Sequence, residues 1–247
     1  MPAIASITED RLLDGRVALR QPADGYRAAI DPVLLAAAVA ARPGDSVLDL
    51  GCGVGAAALC LLARRADLFL TGLEVQPVLA ELARDNASAN GWSDRFRVVE
   101  GSAAAPLPGF GPFDHVMTNP PFLAEGRGTP PPGAIKAIAN VEDELDLKGW
   151  ITAAARLLKP KGRLAIIHRA DRLGDVLAAL GGRGFGETRI LPLWPKPGRS
   201  AVRVIVLARK GSKAPLELRP GLVLHREDGA YSDEADAILR GAAGLIP

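Results

Sequence analysis

Two short stretches hold residues whose types and spacing could do chemistry. The first is Asp49-Leu-Gly51-Cys52-Gly53-Val-Gly55, directly after the apolar run Ser46-Val-Leu-Asp-Leu50. Glycines at alternate positions let the backbone turn sharply and approach a ligand with no Cβ in the way. The helix expected from Ala56 to Arg65 presents unpaired N–H groups at the same place. A nucleotide-like ligand at the carboxyl end of the first core strand fits this pattern. Gly51-x-Gly53-x-x-Ala56 also satisfies the loose dinucleotide pattern, so the glycines alone do not choose the ligand. Glu74, at the end of the next apolar run, would bind ribose hydroxyls in either case. Asp49 separates the candidates. A carboxylate there attracts the cationic methionine end of S-adenosylmethionine and repels the pyrophosphate of NAD. Cys52 lies within the turn and reads as a small buried filler rather than a reactive thiol.

The second stretch is Asn119-Pro120-Pro121-Phe122, after the strand-like Phe113 to Thr118. Two prolines fix φ and remove two N–H donors, so the turn is stiff. Such a turn can aim the Asn119 amide and the Pro120 carbonyl at one point. Both oxygens accept hydrogen bonds from an exocyclic –NH₂ and turn its nitrogen towards an electrophilic methyl group. Phe122 offers a π-face for the planar group that carries the amine. Methyl transfer of this kind is a displacement in which positioning supplies most of the rate. Asp114 is expected to pack or cap at the far end of its strand, and His115 to be structural or exposed.

These turns need strands to end on one rim. Strand-like runs alternate with helix-like ones: strands at 46–50, 68–74, 96–100, 113–118 and 163–168, helices at 56–65, 77–89, 149–158 and 173–180. That alternation predicts a parallel sheet with helices on both faces. The last strands, Thr188 to Trp194 and Ala201 to Arg209, have only Pro-rich residues between them, so they must pair antiparallel. Residues 1–45 form an N-terminal segment with a helix expected from Pro32 to Ala41, Asp31 at its N-cap; 46–211 form the core; 212–247 form a tail packed on it. Gly126 to Gly133, with three consecutive prolines, reads as a loop.

The chain has 247 residues, 48% apolar and 23% charged, a globular composition long enough to bury a large core. Two cysteines exclude a disulfide scaffold, and three scattered histidines suggest no metal cluster. The longest apolar run, Val33 to Ala41, is nine residues, about half a bilayer span, so no membrane association is expected. Six charged residues within the first 20, from Glu9 to Arg20, leave no signal-peptide apolar region. A cytoplasmic protein with reduced thiols is expected. Net charge is +2, yet Arg183 to Lys213 holds eight basic residues and one acid, Glu187. Such a cluster is either an electrostatic footprint for phosphates or a solvated strand edge.

The glycine turn combined with Asn119-Pro-Pro-Phe122 resembles the amino-group methyltransferases of class I. Within them the chain is most similar to the bacterial tRNA1(Val) adenine-N6 methyltransferases. The further residues are Asp24-Gly-Tyr-Arg27, Ile30-Asp-Pro-Val-Leu-Leu35, Arg199-Ser-Ala-Val-Arg203, Ala208-Arg-Lys-Gly211, Leu222-Val-Leu-His225 and Asp228-Gly-Ala-Tyr231. The resemblance implies a Rossmann-like domain with a seven-stranded, mostly parallel sheet. It implies S-adenosylmethionine as cofactor, held by Asp49, Gly51, Cys52, Gly53 and Gly55, with Glu74 on the ribose. Tyr26 and Asp31 would close over it, and Ser102 would stand where relatives carry an acid facing the cofactor's adenine. Asn119, Pro120, Pro121 and Phe122 would hold the target amine. The implied partner is tRNA, met by Lys196, Arg199 and Arg203, and the implied target is the adenine 3′ of the anticodon. Guanine N2 of ribosomal RNA and a protein glutamine remain alternative acceptors, and a non-catalytic RNA-binding protein is the alternative from another class.

Overall fold

The structure is a computed structural model and describes residues 6–23, 27–105, 108–121 and 145–245. Its centre is a sheet of parallel strands: β3 (Ser46–Leu50), β4 (Phe69–Glu74), β5 (Phe96–Glu100), β6 (Phe113–Thr118), β7 (Leu158–Arg169) and β8 (Phe185–Trp194). β9 (Arg203–Lys210) lies between β7 and β8, antiparallel to both. The strand order is β5-β4-β3-β6-β7-β9-β8. Two further strands, β10 (Glu217–Leu218) and β11 (Leu222–Val223), pair in parallel with β8. Among the described residues the sheet thus holds the seven expected strands and two short additions. The additions are two residues each and cover the outer edge of β8, which would otherwise offer unpaired backbone groups.

Both faces of the sheet are covered, which is why its strands read as continuous apolar runs. On β3, Val47 points into one apolar cluster with Leu34, Leu35, Leu59 and Leu61; Leu48 and Leu50 point into the other with Ile151, Val176 and Leu164. The first face carries α1 (Ile30–Ala38), α2 (Ala56–Arg64) and α3 (Pro77–Ala89). The second carries α4 (Leu147–Leu157) and α5 (Leu173–Leu180). α1 starts earlier and ends earlier than expected. Ala29 is its N-cap, Asp31 sits inside the first turn, and Val39 is already extended.

Within the N-terminal segment, where no strand is expected, lies a hairpin of β1 (Ile7–Leu12) and β2 (Val17–Pro22), with Leu12 opposite Val17. Its cue is the turn dipeptide Asp14-Gly15. No β1 side chain is fully buried, so the hairpin depends on other elements. Asn86 and Asn90, one turn apart on α3, supply the anchorage. Asn90 accepts from Ala18 N–H at 2.9 Å and donates to Ala18 O at 2.7 Å. Asn86 accepts from Arg20 N–H at 2.8 Å and donates to Arg20 O at 2.9 Å. The two amides thus act as a surrogate neighbouring strand for β2.

The tail ends in α6 (Asp233–Leu239), which packs on α1. Leu245 N–H donates to Ala37 O at 2.9 Å, and Arg64 donates to Ala243 O at 2.6 Å. No described helix is long and apolar enough to cross a membrane.

Candidate active site

Asp49 lies opposite Met117 where β3 pairs with β6. Gly51 and Asn119 therefore leave the sheet at one level, on strands about 4.8 Å apart. The Thr118 hydroxyl donates to Leu50 O at 2.8 Å and ties the two exits together. The glycine turn and the Asn119 turn thus share one rim. Asn119 is half-buried with its amide oxygen shielded from solvent, Pro120 is buried and Pro121 half-buried. Phe122 and Tyr26 lie outside the described residues, as does the Gly126 to Gly133 loop.

The three glycines of the turn all have positive φ, +70°, +54° and +85° at Gly51, Gly53 and Gly55, but they do different work. A Cβ on Gly55 would lie 2.8 Å from Phe96 Cε1, and one on Gly51 2.5 Å from Trp150 Cη2. Those two permit close packing beneath the turn. A Cβ on Gly53 would meet no heavy atom within 4 Å, so it borders open space and is the position a ligand can approach. Trp150, on α4, has no signal in the sequence that ties it to the turn. Cys52 is buried with Sγ against Gly72, and burial pushes its thiol well above the ordinary range, which fits a filler.

Glu74 ends β4 beside the turn and is 6% exposed. One carboxylate oxygen accepts from Gly53 N–H at 2.8 Å, the other from Gln76 N–H at 2.9 Å. Burial raises its pKa, and these N–H groups oppose the rise. A carboxylate has about four acceptor sites, so lone pairs remain for a ribose diol. Asp49, 2% exposed, accepts from Ala58 N–H at 3.2 Å in the first turn of α2. Burial is the main cause that lifts its pKa to about 7, the Ala58 N–H opposes this, and the nearby Glu74 charge adds to it. Two buried carboxylates with no cationic partner among the described residues make a rim that favours a cationic ligand over a pyrophosphate. S-adenosylmethionine, with a sulfonium and an ammonium, fits this donor set.

Asp49 has a testable cost. Its folded pKa lies above the unfolded value, so its contribution to stability is present in acid and is lost as pH rises through about 7. Asn keeps an acceptor for Ala58 N–H without the charge. Asp49→Asn is therefore expected to melt higher than the unsubstituted protein at pH 8, with a smaller difference at pH 5, while its cofactor affinity falls. Thermal melts at the two pH values check this.

Ser102 follows β5 on the same rim; its hydroxyl accepts from Ala104 N–H at 3.1 Å. Asp31 is committed elsewhere than expected, receiving Arg203 Nε at 3.0 Å, so the N-terminal segment is clamped to the start of β9. That pair also means Arg203 is not a solvated cation awaiting phosphate. Asp114 stands at the opposite end of the sheet. Burial raises its pKa, but the Lys159 ammonium at 2.7 Å and the donors of Ser46 outweigh this and hold it at about 2. His115 is buried against Asp45, 3.1 Å away, and burial lowers its pKa. Both are structural.

The basic stretch is split by the antiparallel hairpin. Arg209 and Lys210 fall opposite Arg163 and Phe185 at the amino end, far from Asn119. There Arg209 donates to Glu187 at 3.1 Å, Lys210 to Leu158 O at 2.7 Å and Arg183 to Thr152 Oγ1 at 2.7 Å. Lys196 and Arg199 sit in the β8–β9 loop on the Asn119 rim. Lys196 donates to Glu227 O at 3.0 Å, and Arg199 is exposed.

The chain matches the model of the methyltransferase small domain over residues 29–178. It is 32% identical over 230 residues to a tRNA1(Val) (adenine(37)-N6)-methyltransferase of Porphyromonas gingivalis, covering 89% of each chain. It is 38% identical over 218 residues to one of Shewanella amazonensis, covering 87% of this chain and 91% of the relative. Among solved structures, a predicted O-methyltransferase of Agrobacterium tumefaciens superposes with a TM-score of 0.73 and 29% identity, over 88% of this chain and 99% of that one. A [4+2]-cyclase, SpnF, shares the fold at a TM-score of 0.54 and 20% identity, over 78% of this chain and 85% of the cyclase. The fold alone therefore does not name the reaction. With the cationic-ligand rim and the Asn119 turn at one level, the chain belongs to the methyltransferase small-domain family, as a member of the tRNA1(Val) adenine-N6 methyltransferases.

Proposed function

We propose that the protein transfers a methyl group from S-adenosylmethionine to N6 of the adenine 3′ of the anticodon in tRNA1(Val). The observation that carries the reading is the shared level of the Gly51 and Asn119 exits, which sets an amine-accepting turn beside an open, acid-lined cofactor turn. When bound, S-adenosylmethionine supplies a methyl group on a positively charged sulfur. Glu74 would hold the ribose hydroxyls and Asp49 would balance the cationic end. The Asn119 amide oxygen and the Pro120 carbonyl each accept one N–H of the target amine. Its lone pair then points at the methyl carbon. The displaced proton would leave to water as the methyl group passes from the sulfur, which is left as the neutral thioether, to the nitrogen. A loop adenine leaves its stack at less cost than a paired one, which suits a target next to the anticodon.

Incubation with radiolabelled cofactor and separated tRNA, ribosomal RNA and protein tests the reading. Label in tRNA, recovered as N6-methyladenosine, is expected. Label only in ribosomal RNA or protein would replace the acceptor.

Lys196 and Arg199 are the cations proposed to meet tRNA phosphates beside the pocket. The double variant Lys196→Ala with Arg199→Ala should weaken binding across all tRNA sequences and reduce the salt slope by roughly one unit per lost contact. Cofactor affinity, measured alongside, should be unchanged. An unaltered salt slope would return both residues to the solvated edge.

A further inference from the structure

The tail brings an aromatic pair to the Asn119 rim. β11 pairs with the end of β8, Val223 opposite Trp194, and carries the chain on in step with the β8–β9 loop. Leu224 N–H donates to Trp194 O at 2.8 Å and His225 N–H to Pro195 O at 3.1 Å. His225 is then level with the start of the loop that holds Lys196 and Arg199. A tight turn folds back, with Arg226 N–H donating to Ala230 O at 2.8 Å, and sets Tyr231 opposite His225. The two rings stack, with centroids 4.7 Å apart and planes 21° from parallel. Tyr231 is 37% exposed, so part of the stacked pair reaches solvent on the rim. Lys196 bonds the Glu227 carbonyl and so joins the loop and the turn into one surface. Arg226 lies 3.7 Å from Asp228 in the turn and pairs with Asp233 of α6 at 3.0 Å.

Packing alone does not explain this arrangement. An aromatic pair that only filled the core would be covered, and the exposed cation Arg199 of the adjoining loop is in no ion pair among the described residues. Four strand spacings, about 19 Å, separate β11 from β6 and Tyr231 lies one further out, a gap that several nucleotides of an extended strand bridge. We propose that Tyr231, backed by His225, is a stacking platform for an unpaired base of the RNA loop whose target adenine enters at Asn119. Lys196 and Arg199 take the phosphates in between. Stacking on an aromatic side chain accepts any base, so the platform adds affinity and register rather than sequence choice. The inference rests on the proposed tRNA acceptor.

The test is steady-state methyl transfer to a tRNA1(Val) anticodon stem-loop by the full-length chain, for Tyr231→Leu and Tyr231→Phe. Tyr231→Leu should raise KM for RNA by about five- to a hundredfold with kcat within about twofold. Tyr231→Phe keeps the ring and should stay near the unsubstituted KM. S-adenosylhomocysteine affinity and the melting temperature serve as fold controls. If Tyr231→Leu loses its fold, quenching of Tyr231→Trp fluorescence by the stem-loop replaces it, with quenching expected. An unchanged KM in a folded Tyr231→Leu, or the absence of quenching, would overturn the platform. If the unsubstituted protein fails to methylate the stem-loop at all, the acceptor reading fails instead, and the two failures are distinct.

Discussion

Asn119→Ala is expected to lower methyl transfer by at least about a hundredfold while S-adenosylhomocysteine affinity stays nearly unchanged. The substitution removes one of the two oxygens proposed to receive the target amine. It leaves the stiff turn in place, because Pro120 and Pro121 fix the backbone and the Thr118 hydroxyl still ties the end of β6 to Leu50. The cofactor turn hangs from β3, held by Glu74 and by the Ala58 bond to Asp49, and none of those contacts involves Asn119. Binding and chemistry should therefore separate cleanly. Single-turnover rates with calorimetry on the same preparation check it. Near-normal turnover in Asn119→Ala would remove the amide from the mechanism.

Gly53→Val should abolish detectable cofactor binding, whereas Gly55→Val should chiefly unfold the protein. The contrast comes from where the new side chains would go. Both positions have positive φ, so any β-branched residue pays roughly 1–3 kcal/mol of backbone strain. At Gly53 an added Cβ meets no described heavy atom within 4 Å, so the side chain would project into the open space proposed for the ligand. At Gly55 they run into Phe96 and Ala83 under the turn, and overpacking adds about another 1–3 kcal/mol. Thermal melts and S-adenosylhomocysteine titrations on both variants decide the matter. A Gly53→Val protein that binds the ligand normally would mean that the cofactor does not approach that turn.

Several core elements were legible because local signals and tertiary packing agreed. Pro77 opens α3 and Asn90-Gly91 closes it, and the observed helix has the expected bounds, Pro77–Ala89. β3 and β6 are buried on both sides and stand out between their turns, while the edge strand β5 alternates buried and exposed residues. The Asn119 and glycine motifs were legible because both depend on backbone freedom, which glycine and proline declare in the sequence. Other elements gave weak local signals. β1 has no fully buried side chain, so no apolar alternation marks it; two asparagines more than 60 residues away hold its partner strand. β10 and β11 are too short to have a pattern at all.

The sequence by itself determined the chemistry on offer: a turn open to a ligand, a stiff turn with an amide, and acids at two strand ends. Only the tertiary structure decided which of these meet. The strand order set Asp49 beside Met117 and so made one site of two motifs 70 residues apart. It also divided a basic stretch that looks continuous in sequence. An antiparallel hairpin sends its two ends to the same edge and its middle to the other, so Lys196 and Arg199 reach the active rim while Arg183, Arg209 and Lys210 bind carbonyls, a hydroxyl and Glu187 at the far one. Charge can be counted along a chain, but its field depends on where the turns fall and which carboxylates are near. Asp31 shows this on a single residue: 172 positions from Arg203 in sequence, it neutralises that guanidinium at 3.0 Å because β9 begins where α1 packs.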